Sequence, residues 1–334
     1  MRLSVLDQSP IISDQGARRA LEETLALAKR ADELGYYRYW LAEHHAIAAL
    51  GDPCPEVLLA RLGRETQNIR IGTGGVLLPY YSAFRTAEAF RMLEALYPGR
   101  IDLGVGRAPG GDSRTAQAVA GGGFPDASHF PQQVWQLVGH LDGTLPEDHP
   151  FKQVRVQPEV PTTPEVWLLG SSDYSGALAA QLGLPFSFAH FINPNGGDAV
   201  MRAYRERFQP GRESQPRTMV CTFLICAPTD EEAERLAAPI DLRRLHMALN
   251  VDSPVPTDEE ASRHQYSTEE RRYVMGQRPR AVIGSPRRCR ALLEEMAARY
   301  EADEVMVLTI TGSYETRMRS YELLIKEVGP ASNS

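Results

Sequence analysis

The sequence predicts a (β/α)8 barrel, and three observations support this fold class. Short apolar runs alternate along the chain with longer segments of helical period, which is typical of α/β proteins. The first run leads into Asp7-Gln8-Ser9 and not into the glycine-rich turn of a dinucleotide-binding sheet, so a doubly wound open sheet is disfavoured. The chain has 334 residues, and barrels of this kind run to about 250 residues or more as one domain. We therefore expect a single domain over residues 1–330.

Eight apolar runs are expected to form the barrel. Most are apolar on both faces, as parallel strands are when helices cover one side and the barrel interior lies on the other. The expected strands are Leu3–Leu6, Tyr37–Leu41, Ile69–Val76, Ile101–Val105, Val166–Leu169, Phe186–Ala189, Met219–Cys226 and Val305–Ile310. Apolar residues recur with helical spacing in Arg18–Leu34, Ala83–Tyr97 and Pro286–Tyr300, so these segments are predicted helices.

Three segments interrupt the alternation and are expected to be insertions at the C-terminal face of the barrel. They cover residues 108–129, 143–164 and 250–285. Long loops inside a compact domain are usually lids, binding loops or disordered segments. The third segment is polar with few large apolar residues, so it is predicted to be a mobile loop that could close over a site.

The composition argues against several classes of protein. The net charge is −7 and the Lys and Arg residues are scattered, so no nucleic-acid-binding surface is expected. Cys54, Cys221, Cys226 and Cys289 have neither metal-type spacing nor the density of a disulfide framework, which favours free, mostly buried thiols. No signal peptide is recognisable, and no run approaches the ~20 apolar residues of a membrane span. We expect a cytoplasmic protein.

The residues that follow the strands of such a barrel build the active site, and the second strand is followed by Glu43-His44-His45. Neighbouring strand residues face opposite sides, so one metal ion cannot easily bind both histidines, and a metal site is disfavoured. One histidine is then either an acid-base or cofactor-contacting group, or a loop residue fixed by hydrogen bonds. With an ordinary pKa near 6.5, it could transfer a proton at neutral pH.

Glycines are concentrated at the third and fourth strand ends, including Gly74, Gly75 and Gly106. They remove side chains where a flat ligand could lie against the backbone, although each could equally relieve crowding at the rim.

The fourth and fifth strand ends could bind a phosphate. Arg107 could contact it bidentately, or could make a surface ion pair. Ser171, Ser172 and Ser175 lie where a strand turns into a helix, so they could form an anion site with the backbone amides, although capping alone would account for one serine. Together with the glycines and a histidine, these residues suit a phosphorylated aromatic cofactor.

Four stretches in this order and spacing resemble the bacterial luciferase-like flavin monooxygenases, and the similarity covers nearly the whole chain. The stretches are YWLAEHH, NIRIGTGGVLLP, YPGRIDLGVGRAPGG and VWLLGSS with the LAAQLGLP that follows. The resemblance is to the single-chain oxidoreductases of that superfamily. It implies a barrel that binds reduced FMN, supplied by a separate flavin reductase. Dioxygen would then form a peroxyflavin that oxygenates a small organic substrate.

The resemblance also implies roles for individual residues. His44 matches the catalytic histidine near the flavin, and Gly74 and Gly75 match the strand end that supports the isoalloxazine, often through a cis peptide bond. The phosphate-binding positions match Arg107, Ser171, Ser172 and Ser175. A homodimer is expected through helices around Pro55–Glu65 and Ala83–Tyr97. Asp7, Gln8, His190 and the loop after Arg107 are expected to border the substrate.

Two departures from luciferase itself are relevant. Gly106 stands where luciferase has a reactive cysteine, so light emission is not expected, and Ser171 stands where it has a glutamate. Two alternatives stay open on these motifs: a deazaflavin-dependent hydride-transfer enzyme and a non-catalytic flavin-binding protein. The identity of the substrate and of any reductase partner is not determined by the sequence.

Overall fold

A computed structural model describes residues 1–123 and 125–330 of the chain, and in these residues nine parallel strands form one sheet. The strands are β1 (Arg2–Asp7), β2 (Arg38–Leu41), β3 (Arg70–Leu77), β4 (Ile101–Gly106), β5 (Glu165–Gly170), β6 (Phe186–Ala189), β7 (Thr218–Cys226), β8 (Ala281–Gly284) and β9 (Glu304–Leu308).

Thirteen α-helices lie between and after these strands in the same described residues. They are α1 (Gly16–Leu34), α2 (Pro55–Glu65), α3 (Ala83–Leu96), α4 (Ser113–Val119), α5 (Phe130–Asp142), α6 (Asp173–Gln181), α7 (Gly197–Arg207), α8 (Asp230–Leu236), α9 (Ala238–Ala248), α10 (Asp258–Arg263), α11 (Thr268–Gln277), α12 (Pro286–Tyr300) and α13 (Tyr314–Val328). Short 3-10 turns cover Leu78–Tyr80, Ala127–His129 and Arg278–Arg280. Among the described helices, none is both long and apolar enough to cross a membrane.

The sheet closes on itself, which confirms the predicted (β/α)8 barrel. Strands β1 to β7 pair in sequence, β7 pairs with β9, and β9 pairs with β1. All eight predicted strands are present, with ends that shift by no more than a few residues. The strand β8 was not predicted. It lies outside the closed ring and pairs with the C-terminal half of β7.

Residues 250–285, which were predicted to be a mobile loop, contain regular secondary structure. This segment contains α10, α11 and β8, and each helix begins with a capping box. Thr257 and Glu260 close the first box, and Ser267 and Glu270 close the second. Such reciprocal caps satisfy backbone N–H groups that a short polar helix cannot otherwise pair. Helices α8 and α9 were likewise not predicted.

The other two predicted insertions differ from each other in secondary structure. Residues 108–129 include α4 and a 3-10 turn, while Phe124 within them lies outside the described residues. Residues 143–164, all of them described, contain neither a helix nor a strand.

Successive side chains along each barrel strand alternate between two apolar layers, because neighbouring residues of a strand point to opposite faces. On β1, Leu3 and Val5 belong to the outer layer that packs against the helices, whereas Leu6 belongs to the inner layer with Trp40 and Trp167. The inner layer therefore fills the barrel interior, and its upper residues face the C-terminal end.

A buried arginine lies at the N-terminal end of the barrel interior. Arg38 is only 1% exposed, and its guanidinium contacts Asp102 at 2.8 Å, Glu304 at 3.1 Å and Glu165 at 3.1 Å. Asp102 also accepts a hydrogen bond from the Trp40 indole N–H at 2.9 Å. Trp40 packs edge-on against Trp167, with ring centroids 5.6 Å apart. The charged cluster thus holds the aromatic layer above it in place.

We expect Arg38→Met to lower the free energy of unfolding by about 3–5 kcal/mol, because it leaves the buried Glu304 carboxylate without its cation and removes one of the two arginines that bind Asp102. Chemical denaturation measures this change. The control is Arg18→Met, at a fully exposed side chain on α1, which should change stability by less than about 0.5 kcal/mol. Equal stability of the two variants would contradict this view of the cluster.

Candidate active site

A cavity of about 380 Å³ opens at the C-terminal end of the barrel. Small-molecule and cofactor pockets usually measure about 300–1,000 Å³. The inner-layer residues Leu6, Trp40 and Met306 line it, so the aromatic layer is its floor. Of the residues predicted from the sequence, it brings together Gln8, His44, Gly74, Gly75, Gly106, Arg107, Ser171, Ser172 and Ser175.

His44 lies in the loop after β2, and its side chain lines this cavity. Its Nδ1 atom is buried and has no hydrogen-bond partner in the described chain. Burial lowers the pKa of His44 from 6.5 to about 4. The ordinary pKa near 6.5 considered from the sequence therefore does not apply to His44, because burial desolvates the imidazolium. His44 is neutral at pH 7.

The neighbouring His45 is bound by Glu43 instead. Its Nε2 donates to the Glu43 carboxylate at 2.7 Å. The buried Glu43 also accepts from the Leu77 backbone N–H at 2.8 Å and from the Tyr81 hydroxyl at 2.6 Å. Because burial and Glu43 raise the pKa of Tyr81, that hydroxyl keeps its proton. Glu43 thus ties the end of β2 to the end of β3 and fixes the loop that carries His44.

Crowding explains most of the rim glycines. The peptide bond between Gly74 and Gly75 is cis, as the resemblance implies. A Cβ atom at Gly74 would lie 2.6 Å from Leu6 Cδ1, and one at Gly75 would lie 2.6 Å from the Gly104 carbonyl oxygen. At Gly106, by contrast, a Cβ atom would meet nothing within 4 Å. Gly106 is therefore the rim glycine that leaves open space beside the backbone.

A cationic and hydroxyl-rich region lies on the β4 and β5 side of the cavity. Helix α6 follows β5 directly, and its N-cap residue Ser172 makes no side-chain capping bond. Ser175 is buried in the first turn of α6. A Cβ atom added at Gly170 would lie only 2.2 Å from the Ser175 side chain, so the two residues are in close contact. The exposed Arg107 stacks its guanidinium over Tyr174, 4.3 Å from the ring centroid. Hydroxyls, helix N–H groups and a guanidinium are the donors that phosphate binds.

Asp7 and His190, which were expected to border the substrate, are absent from the described residues that line the cavity. The Asp7 carboxylate is fully buried and pairs with Arg317 at 2.6 Å. His190 donates from Nε2 to the Pro279 carbonyl at 2.8 Å and accepts at Nδ1 from the Tyr300 hydroxyl at 2.7 Å. Both side chains are thus engaged in structural contacts. Gln8 does line the cavity.

A second cavity, of about 250 Å³, adjoins the first and shares Gln8, His44, Phe191 and Ile192 with it. We call it the arginine cavity because Arg243, Arg244 and Arg280 line it. These arginines were not predicted from the sequence, since no spacing distinguishes them from the other cations of the chain. The inward-facing Leu6 and Trp40 were also missed, although the alternation along their strands could have indicated them.

Comparison with known proteins assigns the family. A family model described as luciferase-like monooxygenase matches residues 1–302. The luciferase-like monooxygenase of Escherichia coli (strain K12) is 37% identical over 321 residues, covering 96% of this chain and 95% of that protein. The N-acetyl-S-alkylcysteine monooxygenase of Bacillus subtilis is 33% identical over 328 residues, covering 97% of each. The chain belongs to the luciferase-like monooxygenase family, which confirms the resemblance found in the sequence.

Solved structures share the same fold. The crystal structure of apo-MsnO8 has a TM-score of 0.91 and 36% identity, covering 99% of both chains. The oxygenating constituent of 3,6-diketocamphane monooxygenase from Pseudomonas putida, solved in complex with FMN, has a TM-score of 0.71 and 19% identity, covering 98% of this chain and 97% of that one. An F420-dependent secondary alcohol dehydrogenase has a TM-score of 0.67 and 13% identity, covering 98% of both. At such identities the last two indicate the fold alone.

Proposed function

We propose that this enzyme is an FMN-dependent monooxygenase that uses reduced FMN and dioxygen to oxygenate a small organic substrate. One observation carries the proposal: a single cavity combines His44, the open space beside Gly106, and Arg107 with three serines. The names of the similar monooxygenases support oxygenation. A fold neighbour in complex with FMN is consistent with this cofactor.

The residues present fit FMN. The phosphate would bind to Arg107, Ser171, Ser172, Ser175 and the first N–H groups of α6, which are donors suited to a dianion. The ring system would lie beside Gly106 and the cis peptide of Gly74 and Gly75, with the apolar floor below it. Reduced FMN, when bound, would supply the electrons that reduce dioxygen, with one oxygen atom entering the substrate and the other leaving as water.

The chain's own contribution would be to exclude water and to hold a proton. The cavity floor is apolar, and such surroundings keep bulk water from a reacting group. His44 is neutral at pH 7, and its buried Nδ1 has no partner within the described chain, so it can exchange a proton or a hydrogen bond with a bound ligand. Glu43 would act as a positioning residue, because it fixes the loop that carries His44.

We expect His44→Ala to lower the rate of substrate oxygenation at least about tenfold while FMN binding stays nearly unchanged, since general acid-base groups contribute about 10²–10⁴-fold. The assay supplies reduced FMN and dioxygen and measures the oxygenated product. Because the pKa of His44 is lowered to about 4, its neutral form persists as pH falls, and its contribution should be level between pH 5 and 8.

Two outcomes would contradict this role. One is full oxygenation by His44→Ala. The other is a step in rate with a midpoint near pH 6.5 that only the wild type has. Asp52, whose pKa burial raises to about 7, supplies an internal control, because its titration would affect wild type and variant alike. Turnover with a reduced deazaflavin but not with reduced FMN would instead favour the hydride-transfer alternative.

Arg107→Ala should weaken FMN binding about 10- to 100-fold and riboflavin binding much less, because a charge-assisted hydrogen bond contributes about 1.5–3 kcal/mol. Fluorescence titration measures both affinities. Arg287→Ala, at an exposed arginine on α12, is the matched control. Equal weakening of FMN and riboflavin would refute a phosphate contact for Arg107.

A separate flavin reductase is part of this proposal, since reduced FMN must come from outside the barrel.

We also propose a cytoplasmic location, because all four cysteines are free thiols, as is usual in a reducing compartment.

We further infer a homodimer formed through α2 and α3. Val57 on α2 and Met92 and Leu96 on α3 are exposed by 69%, 53% and 55%. Burial of such a surface is the usual driving force for association. Light scattering should give the mass of two chains, and Met92→Glu should shift it to one. A wild-type mass of one chain would contradict the dimer.

A further inference from the structure

We propose that the arginine cavity binds a carboxylate of the substrate, so that the enzyme acts on organic acids. This inference rests on the monooxygenase function proposed above and adds the class of substrate. The anion would bind to Arg243 and Arg244 on α9, with Arg280 beside them.

The burial of these arginines is the first argument. Arg243 is 7% exposed and Arg244 is 8% exposed, yet neither is fully paired. Within the described chain, Arg243 Nε and both terminal nitrogens of Arg244 have no hydrogen-bond partner. Arg244 has an ion contact to Asp241 at 3.8 Å, and its guanidinium stacks over Phe223, 4.7 Å from the ring centroid. Neither contact supplies an acceptor for the buried N–H groups, so an anion in this cavity would stabilise both arginines.

The charge around the cavity is the second argument. No acidic side chain is among the described residues that line it. The nearby Asp241 is already bound to Arg278 at 2.6 Å, and Asp252 accepts a hydrogen bond from the Ala48 backbone N–H at 2.9 Å. Although burial lowers the pKa of Arg243 and Arg244 to about 10, both stay charged at neutral pH. The cavity is therefore cationic, and the planar guanidinium matches a carboxylate in a two-bond geometry.

The position of the arginine cavity relative to the first cavity is the third argument. The two share His44, Gln8, Phe191 and Ile192, so a molecule can extend from one into the other. An acid bound by the arginines would place its organic part between Phe191 and Ile192 and direct it towards His44. The cofactor phosphate has its own donor set at Arg107 and α6, so the two anions would not compete for one site.

The test measures binding to the FMN-free protein by calorimetry, with phenylacetate and its neutral amide phenylacetamide as matched probes. We expect the acid to bind at least about tenfold more tightly than the amide. Arg243→Met and Arg244→Met should each weaken the acid about 10- to 100-fold, while the affinities for the amide and for FMN stay within about threefold. Arg287→Met is the matched control and should change none of them.

Folding is checked separately, because a buried arginine could be needed for stability. Arg244→Lys keeps the cation but not the fork of two parallel bonds, so it should retain part of the acid affinity. FMN binding by each variant shows that the barrel is intact.

Several results would overturn the proposal. Equal affinity of the wild type for acid and amide would exclude a carboxylate site. Loss of FMN and acid in parallel would assign the arginines to the cofactor. Tighter binding of phenylmethanesulfonate than of phenylacetate would replace the carboxylate by a sulfonate, and equally tight binding of inorganic phosphate would leave only a general anion site. Since these measurements need no turnover, they stay informative if the FMN-dependent reaction itself fails.

Discussion

The buried pairing of Arg38 with carboxylates is the interaction on which the site above it depends. Arg38 contacts Asp102, Glu304 and Glu165 inside the barrel, and Asp102 in turn accepts the Trp40 indole N–H. A buried guanidinium is costly without such partners, so the cluster fixes the strands that supply it. Trp40 then forms part of the cavity floor. The charged end of the barrel thereby determines where the apolar floor of the active site lies.

The buried carboxylate of Glu43 organises the opposite, C-terminal end of the barrel. Glu43 joins the ends of β2 and β3 through Leu77 and Tyr81 and binds His45. His44 is left without a partner for Nδ1, in surroundings that keep it neutral. Adjacent residues of the same type thus have different roles, one structural and one available to a ligand. The same contrast separates Arg38, which has three carboxylate partners, from Arg243 and Arg244, which have buried nitrogens without a hydrogen-bond partner in the described chain.

Features that depend on the local pattern of apolar residues were predictable from the sequence. The apolar alternation gave the barrel strands and so located His44, Arg107 and the serines at one end. It could not give contacts between distant residues. Asp7 pairs with Arg317, 310 positions away, and His190 accepts a hydrogen bond from Tyr300, 110 positions away. Strand β8 is a four-residue run inside the polar segment 250–285, where no strand was expected. The arginine cavity was missed because burial of Arg243 depends on packing around α9, which the local sequence pattern does not show.

A crystal structure of the enzyme with FMN would test the central claim most directly, because it locates the phosphate and the ring together. We expect the phosphate at Arg107, Ser171, Ser172 and Ser175, the ring beside Gly106, and His44 Nδ1 within hydrogen-bonding distance of the bound molecule. A phosphate bound to Arg243 and Arg244 would contradict both the cofactor site and the carboxylate site inferred here.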